Sequence, residues 1–249
     1  MTQYLFSANT GYLWKELPFL DRIRQAAAHG FAGVEFHDEA QSTDRDALKA
    51  VLAETDLPVY GLNVRMGDSF GCAAIPGMKD QARRDVDLAL EIAEDIGAGA
   101  VHVLGGLTSD PAAHDTYIET LGYALDASDK TILIEPVSAE QLPGFFLRTI
   151  DQAAGILAQV NHPRLKILFD CYHIHRESGD VPKLFRAHAG QIGHVQIAAA
   201  ENRAEPFAGA LEYQTLLADF QACGYAGPFG CEYRPATTTE AGLSWRAQL

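Results

Sequence analysis

Three acidic residues and one amide stand at the ends of short apolar runs in the second half of the sequence. They are Glu135, Asp170, Gln196 and Glu232. The four recur at intervals close to the ~31 residues that one strand-and-helix unit occupies when eight such units share a chain of about 250 residues. Carboxylate and amide oxygens are the ligands that hard divalent cations prefer. If the runs are neighbouring strands, the pattern predicts a site for one divalent ion per chain.

Eight short runs of apolar or β-branched residues alternate with longer amphipathic segments. The predicted strands are Tyr4–Ala8, Gly33–Phe36, Val59–Val64, Ala100–Leu104, Thr131–Val137, Lys166–Tyr172, Gly193–Ala198 and Pro228–Tyr233. Phe19–His29 and Gln81–Ile96 have the apolar period of helices, and the second is predicted to stop at Gly97. Alternating strands and helices indicate an α/β parallel sheet, and eight repeats over residues 1–249 predict a single (β/α)8 TIM barrel domain.

Proton transfer next to a carbonyl group is the chemistry that this arrangement favours. The carboxyl ends of the strands of such a barrel meet at one mouth. There Glu135 and Glu232 would flank the ion as an acid and base pair, while the metal polarises an α-hydroxycarbonyl compound and stabilises an enediolate. Aldose–ketose type isomerisation is the predicted reaction. Phosphodiester cleavage favours instead a histidine-rich site of several zinc ions in positive surroundings, which the acidic composition does not suggest.

The composition disfavours broad contacts with polyanions. The chain of 249 residues has 33 acidic and 19 basic residues and a formal net charge of -14. Nucleic acid and anionic membranes are therefore not expected partners. A small molecule is the expected partner. The four cysteines form no CxxC pair, and Met1–Phe6 has neither a basic nor a long apolar region. These features predict a cytoplasmic protein in a reducing compartment.

Four further polar residues are candidates for the same mouth. His173 lies three residues beyond Asp170 and is a candidate to bind metal or substrate, the alternative being a structural histidine. Glu35 ends the second predicted strand and Asn63 lies near the end of the third, so both are predicted to line the mouth and contact substrate. Arg203 is the candidate for a substrate carboxylate, because guanidinium groups bind carboxylates through paired hydrogen bonds.

Several motifs around these residues are similar to those of a known family. They include Gly30-Phe31, Val34-Glu35-Phe36, Val101-His102-Val103, Glu135-Pro136, Phe169-Asp170 with Tyr172-His173, Gly193–Ala198 and Gly230–Tyr233. With them the sequence resembles, almost end to end, the hydroxypyruvate isomerase family within the xylose isomerase-like TIM barrels. The resemblance implies a magnesium or manganese ion held by residues that match Glu135, Asp170, Gln196 and Glu232, with His173 near the substrate. It also implies a small hydroxy-oxo acid as substrate, either hydroxypyruvate interconverted with tartronate semialdehyde or a four-carbon 2-oxo-tetronate.

The sequence departs from the pattern of that family at three places. Ala204 and Ala210 stand where the family commonly has histidine and glutamate, and Met78 stands where an arginine is usual. We expect the mouth to lack the two polar groups that the family has at these places, so the identity of the substrate is left open. The alternatives are an epimerase or dehydratase of a longer sugar or polyol derivative, and a catalytically silent barrel that binds a sugar acid. The oligomeric state is also open, with a homo-oligomer as one option.

Overall fold

Eight parallel strands close into a barrel in the computed structural model, which describes residues 4–207 and 209–249. The strands are β1 (Phe6–Asn9), β2 (Gly33–Phe36), β3 (Val59–Asn63), β4 (Ala100–His102), β5 (Thr131–Ile134), β6 (Leu165–Asp170), β7 (Ile192–Ile197) and β8 (Phe229–Cys231). Each strand pairs with its neighbours in sequence, and β1 pairs with β8 to complete the ring. The predicted TIM barrel is confirmed. Residues 1–3 of the N-terminal segment considered above lie outside the described residues.

Helices follow the strands and surround the barrel. They are α1 (Phe19–Ala28), α2 (Arg45–Thr55), α3 (Lys79–Asp95), α4 (Ala113–Ala127), α5 (Ile150–Val160), α6 (Cys171–Ser178), α7 (Val181–His188), α8 (Tyr213–Ala222) and α9 (Thr239–Gly242), with 3₁₀ turns at Glu39–Gln41, Ala189–Gln191 and Leu243–Gln248. Helix α3 ends as predicted before Gly97, whose φ of +69° favours glycine. Over residues 4–207 and 209–249, no helix is both long and apolar enough to cross a membrane.

Apolar side chains fill the space between the strands and the helices, while the inside of the barrel is partly polar. The outer layer includes Phe169, Phe220 and Phe229, all fully buried. Inside, Ala100, Leu133 and Leu168 form a small separate cluster. The other side of the interior holds the buried polar residues Ser7, Glu35 and His194. The inside of the barrel therefore contains an acidic side chain, Glu35, and a buried acidic group requires hydrogen-bond partners.

The strand ends differ from the prediction by one to a few residues. β6 ends at Asp170 rather than Tyr172, because Asp170 Oδ1 accepts a hydrogen bond of 2.8 Å from the backbone nitrogen of Tyr172 and starts α6. β5 ends at Ile134, so Glu135 follows the strand directly. β1 extends to Asn9, one residue beyond the predicted end.

The register of the strands sets which side chains meet at the mouth. Asp170 on β6 is level with Gln196 on β7, and Gln196 is level with Gly230 on β8. On the opposite side of the ring, Asn63 on β3 is level with His102 on β4. Since inward and outward positions alternate along each strand, residues at matching levels point to the same side of the barrel wall.

Candidate active site

A cavity of about 130 Å³ opens at the carboxyl end of the barrel. One part of its wall is polar and consists of Tyr12, His37, Asn63, Glu135, Gln141, His173, Arg203 and Glu232. The other part is apolar and consists of Met66, Phe70, Leu104, Val137, Leu142 and Phe145. The barrel thus presents two carboxylates and one guanidinium to a small space that an apolar wall partly shields from water.

Arg203 is the cation at the centre of this site. It is only 4% exposed, and its Nη2 lies 3.0 Å from Asp170 Oδ2 while also contacting Glu232 Oε2. Its guanidinium lies 4.9 Å from the ring centre of Tyr12 and 5.1 Å from that of Tyr172. The backbone of Arg203 is left-handed, with φ of +58°. A non-glycine residue pays for this conformation, so the loop after β7 must be held by its contacts.

Glu232 is held as an ionised carboxylate. Burial alone would raise its pKa, but Arg203 and the hydrogen bond with His37 outweigh burial and lower the pKa to about 2. Asn9 Nδ2 donates to Glu232 Oε1 over 3.0 Å, and His37 Nε2 lies 3.1 Å from the same oxygen. The same contact raises the pKa of His37 against the effect of its burial. Glu232 is therefore a candidate proton acceptor.

The pKa of Glu135 is shifted in the direction opposite to that of Glu232. Burial, then the negative charges of Glu232 and Asp170, raise the pKa of Glu135 well above its usual range. Its two oxygens lie 3.8 Å from His173 Nε2 and 3.9 Å from His102 Nδ1, and Oε1 has no hydrogen-bond partner among the described residues. A buried carboxyl oxygen without a partner is rare in native proteins and indicates a missing ligand.

Asp170 is fixed by the start of α6. One oxygen caps the helix, and the other faces Arg203 and lies 3.6 Å from His173 Nε2. Burial raises the pKa of Asp170 to about 7, against the opposing effect of Arg203.

Two buried histidines border the acids. Burial, followed by the charge of Arg203, lowers the pKa of His173 well below its usual value, so this ring is neutral. Its Nδ1 lies 3.2 Å from Ser138 Oγ and its Nε2 lies 3.1 Å from Arg203 Nη1. Burial also lowers the pKa of His102, to about 3, and its Nδ1 lies 3.1 Å from Asn63 Oδ1.

One group of buried side chains has the geometry to hold a cation. Glu135, Asp170 and His173 each offer one ligand atom, and these three atoms lie within 4.8 Å of one another. Two carboxylates and a neutral imidazole fit a divalent ion such as Mg²⁺, Mn²⁺ or Zn²⁺. The partnerless oxygen of Glu135 supports the same interpretation.

Gln196 and Glu35 belong to a second buried polar group inside the barrel. Gln196 Nε2 donates to Glu35 Oε2 over 2.8 Å, and His194 Nε2 lies 3.1 Å from the same oxygen. Ser7 Oγ donates to Glu35 Oε1 over 2.8 Å. Gln196 Oε1 has no hydrogen-bond partner in the described part of the chain.

Comparisons with known proteins show the family of this chain. A sequence model described as xylose isomerase-like TIM barrel matches residues 23–249. The chain belongs to the xylose isomerase-like TIM barrel family. A 2-oxo-tetronate isomerase of Cupriavidus necator is 38% identical over 253 residues, covering 96% of each chain. A hydroxypyruvate isomerase of Escherichia coli is 38% identical over 251 residues, covering 96% of this chain and 97% of its own.

A solved structure from Brucella melitensis, described as AP endonuclease, family 2, superposes on this chain with a TM-score of 0.95. It is 35% identical and 99% of each chain is covered. The resemblance to hydroxypyruvate isomerases that the motifs indicated is confirmed, and with it the assignment to isomerase enzymes within the xylose isomerase-like family.

The structure brings together most of the residues expected at the mouth of this xylose isomerase-like barrel. The cavity wall contains Glu135, Glu232, His173, Arg203 and Asn63, and Asp170 contacts Arg203 beside it. Their individual roles stay predictions. Glu35 and Gln196 are not among the residues that line the cavity.

Two expectations need correction. Glu35 was expected to line the mouth, but its carboxylate points into the barrel interior, where three side chains occupy its two oxygens. Ala204 was expected at the mouth as well. It lines a separate surface cavity with Glu205 and Phe207, and Ala210 is exposed, its backbone nitrogen donating to Glu201. Met78 lines a third cavity. None of these three departures from the family pattern is among the residues that line the active-site cavity.

Four polar residues near the acids were missed from the sequence. Asn9 and His37 follow the same rule that identified the acids, because Asn9 ends β1 and His37 comes directly after β2. His102 ends β4, where the same rule applies. Tyr12 lies in the loop after β1, where no periodic pattern points to it.

Proposed function

We propose that this protein is a divalent-metal-dependent isomerase that interconverts a small α-hydroxy-oxo acid with its positional isomer. The substrate is hydroxypyruvate, giving tartronate semialdehyde, or a four-carbon 2-oxo-tetronate. The observation that carries the proposal is the pair formed by Glu135 and Glu232. Both line one small cavity that His173 and Arg203 also line, so two carboxyl groups face the same small space. Such a pair can serve as proton donor and proton acceptor.

The reaction needs three proton movements. With hydroxypyruvate, a proton leaves carbon 3 and another is returned to carbon 2, while a third moves between the two substrate oxygens. Glu232, held ionised by Arg203 and His37, is the candidate to take the carbon-bound proton. Glu135, on the wall of the same cavity, is the candidate to return one. The apolar wall of the cavity limits the entry of water that would compete for these protons.

Glu135, Asp170 and His173 are the residues whose geometry suits a cation, and Gln196 and Glu232 are the predicted further ligands. When bound, a divalent ion polarises the carbonyl and hydroxyl oxygens of the substrate. The oxygen-rich donor set favours Mg²⁺ or Mn²⁺. Arg203 offers the positive charge that a substrate carboxylate needs, and its Nε has no hydrogen-bond partner within the described residues.

The test is isomerisation of hydroxypyruvate and of a four-carbon 2-oxo-tetronate by the purified protein, with Mn²⁺ or with a chelator. We expect turnover with metal and its loss with chelator. Glu135→Gln and Glu232→Gln should each lower kcat about 10²- to 10⁴-fold, because each removes a proton-transfer group. Glu177→Gln is the matched control, since Glu177 is a partly buried, hydrogen-bonded glutamate that does not line the cavity.

Deuterium exchange tests whether the substrate hydrogen is transferred as a proton or as a hydride. In D₂O, proton transfer through the glutamates should introduce deuterium at carbon 2 of the product, which proton NMR detects. Complete retention of the substrate hydrogen would replace the acid and base mechanism with a hydride shift. Full activity of both glutamine variants, or no turnover of either acid by the metal-loaded wild type, would overturn the proposed function.

A further inference from the structure

Glu35 contacts three polar side chains from two other strands of the barrel. Its carboxylate accepts from Ser7 on β1 and from Gln196 on β7, and it also lies 3.1 Å from His194 Nε2 on β7. Glu35 is 5% exposed and Gln196 is 4% exposed. A glutamate buried at this depth carries a solvation cost that its hydrogen bonds must offset. Its position inside the barrel therefore requires an explanation beyond packing.

The neighbouring strand is shaped to admit this carboxylate. Gly230 on β8 is level with Gln196, and a Cβ at residue 230 would overlap Glu35 Oε1. The same Cβ would come within 2.8 Å of His194 Nε2 and 2.9 Å of Gln196 Cγ. Any residue other than glycine would displace Glu35 from its partners. The glycine at residue 230 thus leaves space for the Glu35 carboxylate, and Ser7, His194 and Gln196 are its polar partners.

The contact with Glu35 also decides which way the amide of Gln196 is turned. Gln196 Nε2 donates to a Glu35 oxygen, so the amide nitrogen faces Glu35 and the amide oxygen faces away. That oxygen is buried and has no partner in the part of the chain that the structure describes. Gln196 is level with Asp170, one of the three side chains that suit a cation. The free atom is therefore an oxygen, the kind of donor a hard cation prefers.

We propose that Glu35 is a positioning residue that holds the Gln196 amide with its oxygen available to the metal ion and its nitrogen turned away. This inference rests on the proposed function, because it assumes that the barrel mouth binds a divalent ion. It gives Glu35 a role other than the substrate contact expected from the sequence. Glu35 acts through Gln196 and does not touch the substrate.

Metal affinity without substrate is the direct test. Mn²⁺ is titrated into the chelator-treated protein, and free Mn²⁺ is followed by electron paramagnetic resonance. Glu35→Met keeps the approximate side-chain length and removes both acceptor oxygens, so the Gln196 amide is free to turn. We expect the Kd for Mn²⁺ to rise about 10- to 100-fold, the usual effect of removing a partner that orients a metal ligand.

A second substitution separates orientation from a general structural effect. In Glu35→Met/Gln196→Glu, residue 196 becomes a carboxylate, which presents an oxygen whichever way it is turned, so Mn²⁺ affinity should recover most of the loss. Gln196→Glu alone should not improve affinity, because it places two carboxylates within 2.8 Å contact of each other. Asp85→Leu is the control, since Asp85 is a buried, hydrogen-bonded acid on α3 outside the barrel.

The outcomes distinguish this inference from the proposed function. Unchanged Mn²⁺ affinity in Glu35→Met, or no recovery in the double variant, overturns the role of Glu35 while leaving the isomerase proposal intact. No Mn²⁺ binding by the wild type overturns both. If Glu35→Met does not fold, a crystal structure of the Mn²⁺-loaded wild type decides. The Gln196 oxygen on the ion with its nitrogen on Glu35 supports the proposal, and Glu35 bound directly to the ion contradicts it.

Discussion

Arg203 shows at the scale of one residue how the acids of the site coexist in a metal-free protein. It is the cation that contacts both Asp170 and Glu232, and all three side chains are buried. Removing one partner from a buried ion pair leaves an uncompensated charge, which costs more than the pair contributes. The guanidinium thus stabilises carboxylates that would otherwise repel one another.

We expect Arg203→Met to lower the free energy of unfolding by about 3–5 kcal/mol in the presence of a chelator. Saturating Mn²⁺ should restore part of the loss, because the ion supplies positive charge to the same acids. Urea unfolding with and without metal measures both effects. Arg148→Met is the control: Arg148 pairs with Glu177 at the surface, where such a pair contributes only about 0–1 kcal/mol. Equal losses in the two variants would contradict the role given to Arg203.

Asp170 should make the stability of the metal-free protein depend on pH. Its pKa of about 7 in the folded protein exceeds the usual value of 3.8, so the folded state holds a proton that the unfolded state releases between these values. The contribution of Asp170 to stability should therefore fall as the pH rises from about 4 to 7. Glu232 acts in the opposite sense below about pH 4.5, as do His173 and His102 below about pH 6.5, whereas Glu135 acts in the same sense as Asp170. Urea unfolding of wild type and Asp170→Asn between pH 5 and 8 isolates the Asp170 contribution: wild type should lose stability relative to the variant as the pH rises, and parallel curves would refute the prediction.

The site residues that the sequence did not reveal show that uncertain strand ends limit the prediction of the site. Glu135, Asp170 and Glu232 were found because each follows directly on a short apolar run, although the predicted strands continued past them. Asn9 was missed because β1 is one residue longer than the apolar pattern indicates. Glu35 was found, but its role was not, because its partners Ser7 and Gln196 lie on distant strands. Contacts across the barrel depend on register and closure, which no local pattern contains.

At the scale of elements, the junction of β6 and α6 gives Asp170 two tasks. One oxygen caps the helix through the Tyr172 backbone nitrogen, and the other faces the site. A helix of eight residues depends on such a cap, and the cap fixes the carboxylate at the same time. This arrangement also explains why the predicted strand to Tyr172 was too long. Short polar side chains end strands by starting helices, a local effect that hydrophobicity does not reveal.

Two substitutions of Asp170 separate its role in capping α6 from its role in the site. Asp170→Asn keeps an oxygen that can cap α6 but loses the charge, whereas Asp170→Ala loses both. We expect both variants to lose most Mn²⁺ affinity, and Asp170→Ala to be less stable than Asp170→Asn by about 1 kcal/mol. Metal content after purification and urea unfolding with chelator measure these effects. Equal stability of the two variants would show that the cap contributes nothing, and unchanged metal content would remove Asp170 from the metal site.

At the scale of the whole molecule, closure of the ring brings distant parts of the sequence to one site. β1 pairs with β8, and Trp245 near the C-terminus packs edge-on against Phe6 with ring centres 5.1 Å apart. As a result Asn9 Nδ2 reaches Glu232. The alternation of eight strands with helices predicted this architecture, because period and repeat number are properties of the sequence. The position of the arginine between the acids was not predictable, since it depends on a left-handed turn in a loop.

The net charge of this protein argues against nuclease activity on duplex DNA. The Brucella melitensis structure with a TM-score of 0.95 is described as AP endonuclease, family 2. Proteins that act on duplex DNA neutralise phosphates with lysine and arginine, and this term supplies most non-specific affinity. The present chain has a net charge of -14. A DNA backbone would therefore meet repulsion at long range.

We therefore expect no incision of duplex DNA containing an abasic site, with either Mn²⁺ or Zn²⁺ present, under conditions in which the protein isomerises an oxo acid. Gel electrophoresis of a labelled duplex measures incision, and a zinc-dependent endonuclease serves as the positive control. Low ionic strength should not rescue activity, because weaker screening strengthens the repulsion between two negative partners. Incision that disappears in Glu232→Gln would contradict the isomerase assignment, since it would show that this cavity cleaves phosphodiesters. Incision that persists in that variant would instead come from a contaminating nuclease.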